Sequence, residues 1–159
     1  MDSSFDRRLG QAIRTAVASL PGGAVVARAA AESMAPAFEG IVVAMLTRPG
    51  LRRSGVVAGA AAVCAATSAR VARDAIGRPR PGERPDGGLP SRHAAAAVAI
   101  TCAVVRRHRG LGRVLGVAAA VGLLGRIATG DHDPADIAAG ALVGASADWI
   151  VQRVAGQPR

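Results

Sequence analysis

Aromatic side chains are almost missing from this sequence: two phenylalanines, Phe5 and Phe38, one tryptophan, Trp149, and no tyrosine. A core filled with rings is therefore excluded. So is a nucleic-acid surface built on base stacking, although the formal net charge is +9, because the arginines sit between apolar runs with no aromatics interleaved. Cysteine is as scarce. Cys64 and Cys102 each lie inside an apolar run without metal-ligand spacing, and free buried thiols are expected. No cluster of carboxylates suits a hard divalent cation, so neither a metal nor a cofactor is expected. The sequence also lacks a compact apolar N-terminal core ending at a small-residue cleavage site, so any membrane insertion is expected to use the body of the chain. Long uncharged runs are missing too. The stretches 54–69, 94–105, 114–125 and 137–147 all fall short of the about 20 residues that a spanning helix needs.

What is present is an apolar half dominated by Ala, Gly and Val. Small residues let helix backbones approach closely, as they do in membrane bundles. The short runs reach spanning length when flanking arginines snorkel or when polar residues inside the helices face a cavity. Residues 4–20 place Phe5, Leu9, Ile13, Val17 and Leu20 on one stripe, with Asp6, Arg7, Gln11 and Arg14 largely off it. This amphipathic helix suits either the membrane interface or packing on a bundle. Pro21-Gly22-Gly23 ends it, and a short helix over 24–33 follows with Arg28 and Glu32 paired one turn apart. Further helices are expected to start near Ala35, Ser54, His93, Val114 and Ala135. Glu39 is read either as an exposed helix-end carboxylate or as a partner for a site arginine, His108 as a solvated turn residue, and Asp148 with Trp149 as an interfacial boundary.

Between the apolar runs lie three polar islands within 73–136: Arg73 to Arg80-Pro81, Pro90-Ser91-Arg92-His93, and Gly125-Arg126 to His132 and Asp136. If successive helices alternate in direction, all three islands meet at one end. Their chemistry fits a phosphate. Arg73, Arg80 and Arg126 offer planar, permanently charged forks, and Ser91 offers a hydroxyl together with helix N-terminal amides. His93 and His132 can divide attack on phosphorus from protonation of the leaving oxygen. Asp136 stands four residues after His132, one helical turn away, where its carboxylate can fix the tautomer of the imidazole. That partner marks His132 as the nucleophile and leaves His93 as the general acid. Asp131 and Asp133 flank His132, either raising its basicity or capping the next helix.

The spacing of the three islands resembles the type 2 phosphatidic acid phosphatase (PAP2) superfamily. Its pattern is a lysine followed after six residues by Arg-Pro, then Pro-Ser-Gly-His, then Ser-Arg with a histidine after five residues and an aspartate after three more. Arg73, Arg92 and Gly125 stand where that pattern has Lys, Gly and Ser, while every other member is present. The resemblance implies an all-α bundle of about five membrane-embedded helices behind the N-terminal amphipathic helix. It implies one phosphatase domain over 1–159, with amphipathic helices in 1–34 and the helical core in 35–154. It implies a metal-independent hydrolase of a lipid phosphate monoester or diphosphate, acting through phosphohistidine at His132 with His93 and Asp136. Arg73, Arg80, Ser91, Arg92 and Arg126 would hold the phosphate. The alternatives are a soluble acid phosphatase of the same superfamily and a non-catalytic membrane protein with a decayed site. The membrane and a lipid phosphate are the expected partners. The arginines at 48, 52, 53, 106, 107, 109, 113 and 153 collect at the end opposite the motifs, which predicts a multi-pass cell-membrane protein with its site facing outward.

Overall fold

The computed structural model describes residues 3–78 and 87–156. Within them the chain folds into helices α1 (Ser3–Ala18), α2 (Gly23–Thr47), α3 (Arg52–Ile76), α4 (Arg92–Val105), α5 (Arg109–Ala128) and α6 (Pro134–Val154), with no strand among the described residues. The all-α bundle expected from the sequence is therefore what forms. Arg80 and its neighbours at 79–86 lie outside the described residues.

Turn chemistry sets the helix ends. Gly22, at a φ of 72°, turns the chain from α1 into α2, and Gly77, at 63°, caps α3 in the left-handed conformation with its amide on the Arg73 carbonyl. Ser91 caps α4, its Oγ accepting from the Ala94 amide at 3.4 Å. Asp133 precedes Pro134 at the start of α6, and the Asp136 carboxylate reaches back to the Asp133 amide at 3.1 Å. One boundary differs from expectation. The short helix over 24–33 and the helix starting near Ala35 are a single 25-residue α2, which runs through Pro36 and across the expected join at residue 34. Proline removes one hydrogen bond there, and an apolar helix packed against neighbours keeps its course regardless.

The helices alternate in direction, so the ends of α3 and α5 meet the starts of α2, α4 and α6. Glycine makes the approach close. A Cβ on Gly140 would lie 2.4 Å from the Ser91 carbonyl oxygen, and one on Gly144 would lie 2.3 Å from that of Ala95, so α6 rests on α4 backbone to backbone. The interior is made largely of alanine, with Met34, Phe38, Met45, Ile100, Val104, Leu115 and Leu123 filling the wider gaps. Large apolar side chains remain on the outside, among them Val63, Val71, Val117, Leu124 and Leu142. By length and composition α2, α3 and α5 can each cross a membrane, whereas α4 is apolar but only 14 residues long.

The end away from the motifs carries its own polar ties. Asp148, fully buried, receives two hydrogen bonds from Arg106 at 3.0 and 3.2 Å, while Trp149 is half exposed beneath the Arg153 guanidinium. Asp148 is thus an internal clasp between the end of α4 and α6. The reading of His108 is corrected: its Nε2 lies 3.1 Å from Ser54 Oγ, joining the α4–α5 turn to the start of α3. The Arg28–Glu32 pair forms as expected, at 3.0 Å.

Helix α1 docks on its polar edge. Asp6 and Gly10 are buried and Arg14 is half-buried, while Phe5, Leu9 and Leu20 of the apolar stripe point away from the bundle. The reason is local: the polar edge finds countercharges and a helix N-terminus on the bundle, and the apolar stripe does not.

Candidate active site

The start of α4 and the start of α6 are tied together before any side chain is considered, since the Ser91 amide donates to the Asp136 carbonyl at 3.0 Å. This tie brings three predicted residues into one row. Ser91 Oγ stands 3.1 Å from His132 Nε2, and His132 Nδ1 stands 3.4 Å from Asp136 Oδ2. All three are essentially inaccessible to solvent. The second contact is longer than a well-aligned hydrogen bond. With Nδ1 facing Asp136, the nitrogen turned toward the Ser91 side is Nε2.

The arginines at this end of the bundle are in different states. Arg73 is buried in the last turn of α3, its Nε 3.6 Å from Asp74. Arg126, at the end of α5, reaches Asp131 at 3.3 Å and the Ala31 carbonyl at 3.3 Å. Arg92 is exposed at the first position of α4. His93, half-buried, lies with Arg92 and Glu39 in the wall of a cavity of about 420 Å³ between α2, α3 and α4, otherwise lined by apolar residues such as Phe38, Ala62 and Ile100. His132 is not part of that wall. The structure thus unites Ser91, His132 and Asp136, sets His93 and Arg92 on the neighbouring cavity, and leaves Arg80 in the segment not described. Glu39 is exposed, but it stands in the middle of α2 and not at a helix end, because α2 runs on through Pro36.

Gly125, which removes the hydroxyl that the PAP2 pattern carries, has a packing explanation. A Cβ there would sit 2.6 Å from the Ala27 carbonyl oxygen and 3.1 Å from the Ala31 amide nitrogen, so α5 touches the α2 backbone where serine would not fit.

Three charged residues at the site were not singled out from the sequence. Asp6 from α1 is buried, and its Oδ1 accepts from the Ala135 amide at 2.8 Å. Arg78, just beyond α3, hydrogen-bonds Asp6 and lies 3.5 Å from Asp133 and 3.6 Å from Asp136. Arg14 stands 3.8 Å from Asp133. The hydrogen bond to Asp6 holds the Arg78 guanidinium above its ordinary pKa, and the charges of Asp136, Asp6 and Asp133 add to that against the cost of burial. Burial, followed by the like charges of Asp6 and Asp136, pushes the Asp133 carboxyl up against the pull of Arg14 and Arg78. Only the partial off-stripe position of Asp6 and Arg14 hinted at any of this.

Among the described residues no group of three or more His, Cys, Asp or Glu is placed to hold a metal ion. Asp6, Asp131, Asp133 and Asp136 are each matched with an arginine.

Helix order and packing give a fold shared with two solved structures. The crystal structure of Aquifex aeolicus LpxE aligns with a TM-score of 0.80 at 19% identity, over 96% of this chain and 97% of that one. A transmembrane PAP2 type phosphatidylglycerolphosphate phosphatase from Bacillus subtilis aligns with a TM-score of 0.71 at 18% identity, over 98% of this chain and 88% of that one. At such identities the likeness is one of fold. No family model and no curated protein sequence matches the chain.

Proposed function

We propose that the chain is, over 1–159, a single PAP2-type phosphatase domain that hydrolyses a lipid phosphate monoester or diphosphate without a metal, through a phosphohistidine on His132. The observation that carries this reading is the buried row Ser91–His132–Asp136 at the end of the bundle where Arg73, Arg92 and Arg126 lie. His132 Nε2 attacks phosphorus, the bond from phosphorus to the ester oxygen breaks, and that oxygen takes a proton from His93. Asp136 holds the proton of His132 on Nδ1 and stabilises the cation that forms. Water, deprotonated by His93, then attacks the same phosphorus, the P–N bond breaks, and inorganic phosphate leaves. Arg73, Arg80, Arg92 and Arg126 with the Ser91 hydroxyl hold the phosphate oxygens, whose charge grows in the transition state.

The lipid half of the reading rests on the outside of the molecule. Three helices are apolar and long enough to span, and large apolar side chains cover the bundle. The apolar cavity behind Arg92 and His93 has the character a lipid chain needs next to a phosphate-binding rim. Exposed Phe5 and Leu9 beside Arg7 and Arg8 suit α1 to an anionic lipid interface. The arginines at the far end favour, by positive-inside bias, a cytoplasmic position for that end and an extracytoplasmic one for the site. Phosphatidylglycerol phosphate, the substrate named for the Bacillus subtilis protein, belongs to the class proposed.

The test is phosphate release by the detergent-purified chain from a panel of phosphatidic acid, phosphatidylglycerol phosphate, and polyprenyl phosphate and diphosphate, with EDTA present. Turnover of at least one lipid, undiminished by EDTA and blocked by vanadate, is expected. Turnover that vanishes in EDTA and returns with a divalent ion contradicts the metal-free mechanism, and no turnover on any lipid contradicts the function.

A further inference from the structure

The row that ends at Asp136 continues behind it. Asp136 Oδ2 faces His132, while its Oδ1 lies 3.6 Å from Arg78 Nη1. The guanidinium of Arg78 therefore competes with His132 for the charge of the same carboxylate. On its other side Arg78 hydrogen-bonds Asp6 Oδ2 and lies 3.5 Å from Asp133 Oδ2. The second oxygen of Asp6 holds the Ala135 amide at 2.8 Å, inside the first turn of α6 that carries Asp136. Asp6 thus grips both the competitor and the helix start, and it is only 4% exposed. Its reach depends on Gly10 one turn later, where a Cβ would sit 2.8 Å from Asp133 Oδ1 and 3.3 Å from Pro134.

From this geometry we infer that Asp6 is a positioning residue for phosphoryl transfer: through Arg78 and the start of α6 it keeps the Asp136 carboxylate directed at His132. The inference rests on the reading of His132 as nucleophile. Asp6 touches neither substrate nor reacting atoms. Its removal leaves Arg78 with one fewer counter-charge, so the guanidinium moves onto Asp136 and draws it from the imidazole. Of the other charges facing this cluster, Asp133 already pairs with both Arg78 and Arg14, and neither Asp133 nor Arg14 replaces the contact to the α6 amide.

The experiment uses the full chain in detergent with short-chain phosphatidic acid as probe and ¹⁵N-histidine labelling as a second readout. Asp6→Asn keeps an oxygen for the Ala135 amide and removes the charge; it should lower kcat about ten- to a hundredfold with KM nearly unchanged. The ring nitrogens of His132 should shift away from the Nδ1–H tautomer. Asp6→Glu should restore part of kcat, and adding Arg78→Gln to Asp6→Asn should recover activity, because the competitor is gone. Gly10→Ala, which displaces α1 without removing a charge, should reproduce the loss. Asp6→Asn with unchanged kcat, a loss wholly in KM, or a fall in Tm with the His132 tautomer unmoved overturns the inference. If the wild type releases no phosphate, the phosphatase reading fails alone, and the ring shifts still decide whether Asp6 orients His132.

Discussion

The Asp136 carboxylate lies 3.4 Å from His132 Nδ1 and at the same time accepts the Asp133 amide at 3.1 Å, so the residue proposed to orient the imidazole also closes the first turn of its helix. One side chain does structural and chemical work. Asp136→Asn separates them, since an amide oxygen still accepts from Asp133 while the charge that stabilises the imidazolium is lost. The expected outcome is a native Tm with kcat reduced about a thousandfold or more and little change in KM. Steady-state kinetics beside a thermal melt check it, and a large fall in Tm with kcat preserved would contradict the assignment.

Gly125 gives a prediction about stability. Restoring the serine of the PAP2 pattern places a Cβ 2.6 Å from the Ala27 carbonyl oxygen, which is backbone and cannot swing aside. Gly125→Ser should therefore destabilise by about 1–3 kcal/mol, the range of overpacked interiors, through separation of α5 from α2. A thermal or denaturant melt in detergent reads this. A variant as stable as the parent and more active would show that the missing hydroxyl, not the packing, is what matters at 125.

Asp133 couples stability to pH. Its folded carboxyl pKa is raised by burial first and then by Asp6 and Asp136, with Arg14 and Arg78 pulling the other way. A raised folded value means that the stability tied to the protonated form is fully present below the unfolded value and is lost as pH rises through the folded one. At neutral pH the charge on Asp133 is thus a net cost. Asp133→Asn, which keeps a good N-cap, should melt higher than the parent at neutral pH, with the difference closing as pH falls through the carboxylate range. A lower melting temperature at neutral pH would mean that the pairs with Arg14 and Arg78 outweigh burial.

The helices were legible because apolar runs rich in alanine are punctuated by Pro21-Gly22, Pro49-Gly50 and Pro90-Ser91, and because capping chemistry is local. His132 and Asp136 were legible for the same reason, four residues apart on one turn. Ser91 needed more, a tie between the starts of α4 and α6 that only alternating helices supply. Asp6 was beyond reach. Its partner amide lies 129 positions away, and an acid in an amphipathic helix reads as a solvated edge until the docked face is known. The burial of Asp148 was hidden in the same way, set by Arg106 just beyond α4. Pro36 misled in the opposite direction, because a local breaker was overridden by packing along the whole of α2.

The central claim is that His132 carries the phosphoryl group and His93 protonates the leaving oxygen. The direct measurement is acid-free quenching of the wild-type, His132→Ala and His93→Ala chains after brief mixing with ³²P-labelled lipid phosphate, followed by counting of protein-bound label. Label should appear on the wild type in an acid-labile, base-stable form and be absent from His132→Ala. His93→Ala should form it slowly from alkyl phosphates and nearly normally from an activated aryl phosphate, whose leaving group needs no proton. Label retained by His132→Ala and lost from His93→Ala would reverse the two roles and contradict the account.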